Sequence, residues 1–292
     1  MGKSFMGRFA FWQQNTPPIN IGVYVCADKL WVYAPVQDAK SEQWQSFELK
    51  NENWSAGFSA VAKSFPNAQL QLILASSRYQ LLLTDKPNVD VTELPQALLW
   101  SVKDMVSLPV PQIHLDYFES PLASNKINVV VVDKTKLVSM VQAIHEQNLQ
   151  LAGISIEELA MTNLFGDDNQ ARLVVSHNPG QELLLTVVKQ GQLYMQRRVR
   201  GFTHLDKAPA EELAYGMADN LSLEIQRSMD YFESQLRQAP VSSIELLVDG
   251  AVDKLATLLS ANFNQSVNVI NKSSVDAQMA QLAFAEFSRG TE

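Results

Sequence analysis

The order of predicted elements, more than any single motif, restricts the fold of this chain. Three short strands in a meander, then a helix, then a further strand, are read in the N-terminal half and again in the C-terminal half. In the first half, Ile21–Cys26, Leu30–Pro35 and Gln45–Leu49 are rich in valine, tyrosine and tryptophan, with a turn at Ala27–Lys29. Phe58, Val61, Ala62 and Phe65 then recur at helical spacing within Ala56–Phe65, and AQLQLILAS follows as a strand. In the second half ARLVVSH, ELLLTVVKQ and QLYMQRRVR read as strands, parted by turn signals at Asn178–Gly180 and Gln190–Gly191. A long helix from Ala210 to Arg237 presents Leu213, Met217, Leu221, Ile225 and Phe232 on one face. SSIELLVDG, AVDKLATLLSANF, SVNVIN and VDAQMAQLAFAEFSRG complete the half as strand, helix, strand and closing helix. Identity between the halves is too low to align them residue by residue, so the duplication rests on element order.

Between the halves lies a self-contained unit. YQLLLTD is a strand, VTELPQALLWSVKDMV a helix introduced by Thr92, and IHLDYFES and INVVVVDK two further strands. TKLVSMVQAIHEQNL is a helix with Leu137, Met140, Val141 and Ile144 on one face and Thr135 as its N-cap. The predicted organisation is a tail at 1–18, a first-lobe core at 19–80 and an inserted subdomain at 81–150. A connection back to the first lobe spans 151–170, and a second lobe with its closing helix spans 171–292.

Composition narrows the function classes. A net charge of -8 leaves no basic face of the kind phosphate neutralisation requires, which excludes general nucleic-acid binding. The single cysteine, Cys26, rules out an intrachain disulfide and a zinc site built on two thiolates, and it points to a reducing compartment. No apolar run approaches the roughly 18 residues of a membrane span, and the N-terminus lacks an export signal, so the expectation is cytoplasmic. MGKSFMGRFAFWQQ sets Phe5, Met6, Phe9, Phe11 and Trp12 among Lys3 and Arg8. Such a segment either rests on a membrane surface or packs its aromatics on the domain.

The segment ALLWSVKDMVSLPVPQIHLDYF, Ala97–Phe118, carries a helix, a P-x-P break and an LDY strand. With KLVSMVQAIHEQNLQLAGISIEELAMTNLF and NLSLEIQRSMDYFESQ, Asn220–Gln235, it resembles the actin-like proteins of type IV pilus assembly. These are PilM and its relative MshI of the mannose-sensitive haemagglutinin (MSHA) pilus, and the resemblance spans nearly the whole chain. It implies an α/β, actin-like fold, ribonuclease-H-like and duplicated, with two lobes and an inserted α+β subdomain. Pro109 and Pro111 end a helix and set up an extended chain, so these segments speak for architecture more than for chemistry.

In nucleotide-using proteins of this fold, two hairpins hold phosphates and magnesium. Each has an acidic residue at the end of its first strand, followed by glycine and hydroxyl residues whose N–H groups cradle phosphate. The resemblance places Tyr24 at the first acidic position and Cys26 at the glycine, with Ala27, Asp28 and Lys29 in the turn. At the second hairpin Ser176 or His177 takes the acidic position; Gly180 keeps one permissive turn residue, and Pro179 removes a donor. On the adenosine side Asp249 and Gly250 stand where two or three glycines would open room for a base. The expectation is a degenerate nucleotide cleft, a pseudo-ATPase with no resident cofactor and no metal, ATP with magnesium being the disfavoured alternative.

The remaining chemistry is sparse. His114, His145, His177 and His204 show no i, i+4 pairing; there is no G-x-S-x-G, G-x-x-x-x-G-K or H-E-x-x-H. Glu157 and Glu158 are adjacent at a helix start and so diverge, which argues against a carboxylate dyad. QRRVRG places Arg198 and Arg200 on one strand face and Arg197 on the other, and reads as a charge-protected edge strand. The expected function is that of a scaffold at the cytoplasmic face of the inner membrane, meeting the membrane only peripherally. In the resembling family the groove between the first lobe and the insert takes the N-terminal cytoplasmic tail of a PilN-like inner-membrane protein, among other assembly-platform components. Tyr79, Leu81, Leu83 and Trp100 are the candidate groove residues, as they lie on the strand and helix at that junction. The alternatives are an ATP-binding or ATP-hydrolysing assembly switch, and a GspL-like cytoplasmic domain of type II secretion. A GspL chain continues into a transmembrane helix, whereas this one ends at Glu292 without one.

Overall fold

A computed structural model describes residues 18–35 and 43–289; the aromatic N-terminal segment lies outside the described residues. The alternating apolar runs of the first half pair as expected. β1 (Asn20–Val25) and β2 (Lys29–Ala34) form an antiparallel hairpin, with Val23 opposite Val32, and β3 (Gln43–Glu48) pairs with β2. α1 (Trp54–Ser64) is capped by Asn53, whose Oδ1 accepts from Ala56 N at 3.1 Å. β4 (Gln69–Leu74) then runs parallel to β1.

The chain leaves this sheet to build the insert. β5 (Tyr79–Asp85), β6 (Ile113–Phe118) and β7 (Lys126–Asp133) form an antiparallel sheet in the order β5-β7-β6. α2 (Leu94–Val102) buries Leu94, Leu98 and Val102, four residues apart, against Ile127, Val129 and Val131. Its N-cap position is Glu93 and no side chain caps it, so Thr92 does not introduce the helix as the sequence suggests. α3 (Lys134–Glu146) is capped by Asp133, whose Oδ1 accepts from Thr135 N at 2.8 Å and Lys136 N at 3.2 Å; Thr135 lies inside the helix. Met140, Ala143 and Ile144 of α3 pack into the core that α1 shares with the first sheet.

Residues that the sequence leaves within a connection form β8 (Gln150–Ile156), which adds parallel to β4 and completes the order β3-β2-β1-β4-β8. The short α4 (Glu157–Ala160) follows. The second half repeats the plan with β9 (Arg172–Ser176), β10 (Leu183–Lys189), β11 (Gln192–Val199), β12 (Ser243–Leu247) and β13 (Ser266–Val269), in the order β11-β10-β9-β12-β13. Counted along each half, both sheets have the order 3-2-1-4-5, with the same mixture of antiparallel and parallel pairs.

The long helix of the second half is not continuous α. α5 (Ala210–Glu212) and α6 (Ala218–Asp230) are joined by a π-turn, where Gly216 adopts φ +108, and a second π-turn follows at Tyr231–Gln235. α7 (Val252–Ser260) completes the cover of this sheet. α8 (Val275–Arg289) crosses back: Val275, Met279 and Ala283 share a core with Tyr24 and Ile73 of the first sheet and Val174 and Leu247 of the second. Gly22 permits the approach, since a Cβ there would lie 2.1 Å from Ala280 O and 2.3 Å from Phe284 N.

Candidate functional site

β1 alternates, so Val23 and Val25 face α1 while Tyr24 faces α8 and the second lobe. That places the Tyr24 hydroxyl, fully buried, between the two hairpins. It donates to Glu157 Oε1 at 2.6 Å and accepts from Asn178 Nδ2 at 2.6 Å and Gln181 Nε2 at 3.3 Å. Asn178 and Gln181 belong to the β9–β10 connection, so one hydroxyl joins the first-lobe hairpin to the second. Glu157 Oε1 also accepts from Ser76 N at 3.2 Å, and Ser76 Oγ donates to Gln181 Oε1.

The network continues through Arg198. Its Nη2 donates to Glu157 Oε2 at 2.6 Å and to Glu158 Oε1 at 2.7 Å, its Nε to Glu158 Oε1 at 3.0 Å, and Tyr79 OH donates to Glu158 Oε2 at 2.5 Å. Glu157 and Glu158 are 1% and 0% exposed, so a single guanidinium holds two fully buried carboxylates. This corrects two readings. The adjacent glutamates do converge on one partner, and Arg198 on the edge strand does not serve to repel other strands. Arg197 likewise turns to α6, where its Nη2 meets Glu224 Oε2 at 2.5 Å; only Arg200, beside Glu182, stands in solvent. Burial raises the Glu157 carboxyl above its ordinary value, against the pull of Arg198, and raises the Tyr24 phenol well above its own.

The turn after β1 is occupied from behind. Cys26 N donates to Lys29 O at 2.9 Å, and Arg78 Nε donates to Cys26 O at 2.8 Å, with its guanidinium 4.6 Å from the Trp54 ring. The Cys26 thiol is pushed well up, first by burial and then by neighbouring carboxylates. Asp28 is exposed, and Lys29 lies 3.9 Å from Glu48 in a solvated pair.

On the second hairpin, Ser176 Oγ points at Leu184 O, 3.4 Å away. His177 is fully buried with its Nδ1 3.9 Å from Asp206 Oδ1, and burial holds it below the ordinary histidine value while Asp206 opposes the shift. Gly180 takes φ +76 in the turn. Asp249 accepts from Val275 N at 3.1 Å and so caps α8, while Lys272 donates to Val248 O at 2.7 Å. Gly250 takes φ +86, and a Cβ there would lie 2.3 Å from Asp206 O, so backbone packing alone requires this glycine. Asp276, in the first turn of α8, is pushed up to about 6 by burial and by the charges of Asp249, Glu157 and Asp28. Among the described residues no three of the histidines, cysteines and carboxylates are grouped to hold a metal ion.

A second depression lies between the first lobe and the insert. It is a groove of about 310 Å³ with Trp54, Leu74, Tyr79, Leu108 and Met140 on its walls and Glu52, Arg78 and Lys136 among its charged lining. The four candidate groove residues do not come together. Tyr79 lines this groove, Leu81 and Leu83 line separate cavities towards the second lobe, and Trp100 stands 57% exposed on the outer side of α2, under the Lys103 ammonium at 4.4 Å. Sequence reading set Glu157, Glu158 and Arg198 aside and missed Asn178, Gln181 and Arg78. The one available signal was a pair of glutamates directly after the apolar strand GISI.

Solved structures match across nearly the whole chain, three of them as follows. The PilM–PilN type IV pilus biogenesis complex has a TM-score of 0.61 at 14% identity, covering 94% of this chain and 98% of that one. The cytoplasmic domain of EpsL, an inner-membrane component of the type II secretion system of Vibrio cholerae, has 0.54 at 12%, covering 94% and 95%. A Bacteroides thetaiotaomicron protein of unknown function with an actin-like ATPase fold has 0.54 at 12%, covering 90% and 95%. This chain has the actin-like fold. Its duplicated 3-2-1-4-5 sheets are the two lobes, and the cleft sealed by Tyr24 is the one between them. No protein-family model matches the sequence, and no curated protein does. No described helix of this actin-like chain is long and apolar enough to cross a membrane.

Proposed function

We propose that this chain is an actin-like scaffold of a pilus assembly platform, working at the cytoplasmic face of the inner membrane. In this reading it receives the N-terminal cytoplasmic tail of a PilN-like protein in the groove between the first lobe and the insert, and its interlobe cleft is a degenerate nucleotide site. An MSHA-type pilus is the proposed setting. The observation that carries the reading is Tyr24. The resemblance puts Tyr24 at the first acidic position, and its hydroxyl is saturated by Glu157, Asn178 and Gln181, which supports a site without a ligand there for a hydrated metal. The surrounding carboxylates Asp28, Asp249, Glu157 and Asp276 already crowd one another, which disfavours a polyphosphate. The groove, by contrast, offers apolar walls with a few polar groups, the surface that takes an extended peptide. The likeness to a fold partnered by PilN supports the choice of tail.

The test is a titration of the full chain with fluorescently labelled tail peptides of PilN-like proteins. Micromolar binding is the expected result; failure of every such peptide removes the functional claim and leaves the fold untouched. An ATP-regulated switch is the second reading. It draws on Asp28, Asp249 and Asp276, whose charges meet across the cleft.

A further inference from the structure

Both sheet orders end in a strand with one free edge, and the edge of β11 borders a cavity. Among the described residues β11 pairs only with β10, and its consecutive residues Leu193, Tyr194, Met195 and Gln196 line a space of about 550 Å³. A cavity that touches residues on both sides of the bulge at Tyr194 runs along the strand's edge, where backbone N–H and C=O groups have no partner strand among the described residues. The opposite wall comes from the insert. Leu83, Asn128 and Phe118 stand side by side across β5, β7 and β6 and face the same cavity. Tyr231 and Leu236, after α6, close one end. Leu83 is 55% exposed and Tyr231 49%, an apolar surface left uncovered among the described residues.

Of the usual safeguards of an edge, this stretch has a bulge at Tyr194 but no charge turned onto it. The arginines that follow turn away from it, Arg197 to Glu224 and Arg198 to Glu157 and Glu158. The register irregularity opposite Val187/Val188 sets Tyr194 out of line, but pairing is regular from Met195 to Val199. The cavity is also charged in one sense. Its lining holds Lys126 and Arg237 and, among the described residues, no aspartate or glutamate, in a chain whose net charge is -8. Lys126 reaches Asp85 at 2.7 Å outside the lining, and Asp85 is 72% exposed; Arg237 makes no ion pair among the described residues.

We propose that the edge of β11 is a docking site for an extended segment of a partner protein in which apolar residues alternate with aspartate or glutamate. The segment adds to the second-lobe sheet as a further strand. Its apolar side chains lie on Leu83 and Phe118, and its carboxylates meet Lys126 and Arg237. The site is separate from the groove between the first lobe and the insert. A second copy of this chain is the wrong occupant, because pairing two β11 edges about a twofold axis would bring the same two cations against their equivalents, and the insert wall leaves room for a strand but not for a lobe.

The test selects random twelve-residue displayed peptides on the full chain and measures hydrogen exchange with the winners bound. The expected winners alternate apolar and acidic residues, slow amide exchange at Leu193–Gln196, and bind at least tenfold more weakly to the Lys126→Glu/Arg237→Glu double variant. Affinity falling steeply with added salt gives the same reading in the unaltered chain if that variant does not fold. The proposal is overturned if no peptide is selected, if winners are basic, if binding is indifferent to both charge reversal and salt, or if the slowed amides lie elsewhere. Concentration-dependent self-association that slows the same amides without peptide also overturns it.

Discussion

In the cleft between the lobes, polar atoms are turned on one another; in the groove beside the insert, they are turned outward to the rim. Around Tyr24 the hydroxyl, two carboxylates, two amides and a guanidinium satisfy each other, with Tyr24, Glu157 and Glu158 buried and Gln181 and Arg198 half-buried. Around the groove, Glu52 bridges Arg78 and Lys136 in partial contact with solvent, and apolar walls lie open beneath. Both depressions sit beyond the C-terminal ends of parallel strands, where open α/β sheets place ligands. The contrast teaches that side chains of the two hairpins link the lobes through one buried hydroxyl, while the groove leaves its apolar walls open.

The substitution that strikes the cleft hardest is Arg198→Ala. It leaves Glu157 and Glu158 as uncompensated buried charges, and a loss of about 3–5 kcal/mol is expected in urea unfolding, the usual cost of breaking a buried pair from one side. Tyr24→Phe keeps the ring and removes one hydroxyl, leaving Asn178 and Glu157 short of a partner; a loss of about 1–3 kcal/mol is expected by the same measurement. An unchanged midpoint for either variant would mean that the two lobes are not joined through this network.

Asp276 sharpens the comparison through pH. Its folded value of about 6 lies above the ordinary 3.8, so its contribution favours the native state when it is protonated. That contribution is fully present below the unfolded value and is lost as pH rises through the folded one. Near neutral pH the ionised carboxylate therefore costs stability, and Asp276→Asn is expected to be the more stable protein there. The difference should fade as pH falls from about 6 towards about 4; urea midpoints at several pH values check it. On the groove side, Ser107→Trp places bulk at an exposed position in the lining. Stability should move by no more than about 0.5 kcal/mol, while tail-peptide affinity falls at least tenfold. Equal affinity for the variant would take the peptide out of this groove.

The sheets were legible because each strand is a short apolar run between turn residues, and the duplicated order then left little choice of architecture. β8 escaped notice because Gly153 interrupts its alternation. A Cβ there would lie 2.7 Å from Oε1 at the far end of the Gln71 side chain on the neighbouring strand. The glutamate pair was misjudged on local geometry: adjacent helix positions diverge, yet one arginine from a strand 40 residues away reaches both. Trp100 misled for the opposite reason. Its chemistry suits a groove, but the buried stripe of α2 is Leu94, Leu98 and Val102, and a residue two positions beyond Leu98 falls on the outer side. Tyr24 was singled out in the sequence; the partners that saturate its hydroxyl come from residues 133 to 157 positions away and were not legible there.

Isothermal calorimetry with magnesium–ATP tests most directly the proposal that the cleft around Tyr24 is a degenerate nucleotide site. The account predicts no saturable heat at millimolar nucleotide, both for the unaltered chain and for Asp28→Ala. Tight binding that is weakened by Asp28→Ala or by substitution of Gly250 would contradict it, and would make this cleft a nucleotide site built on different residues.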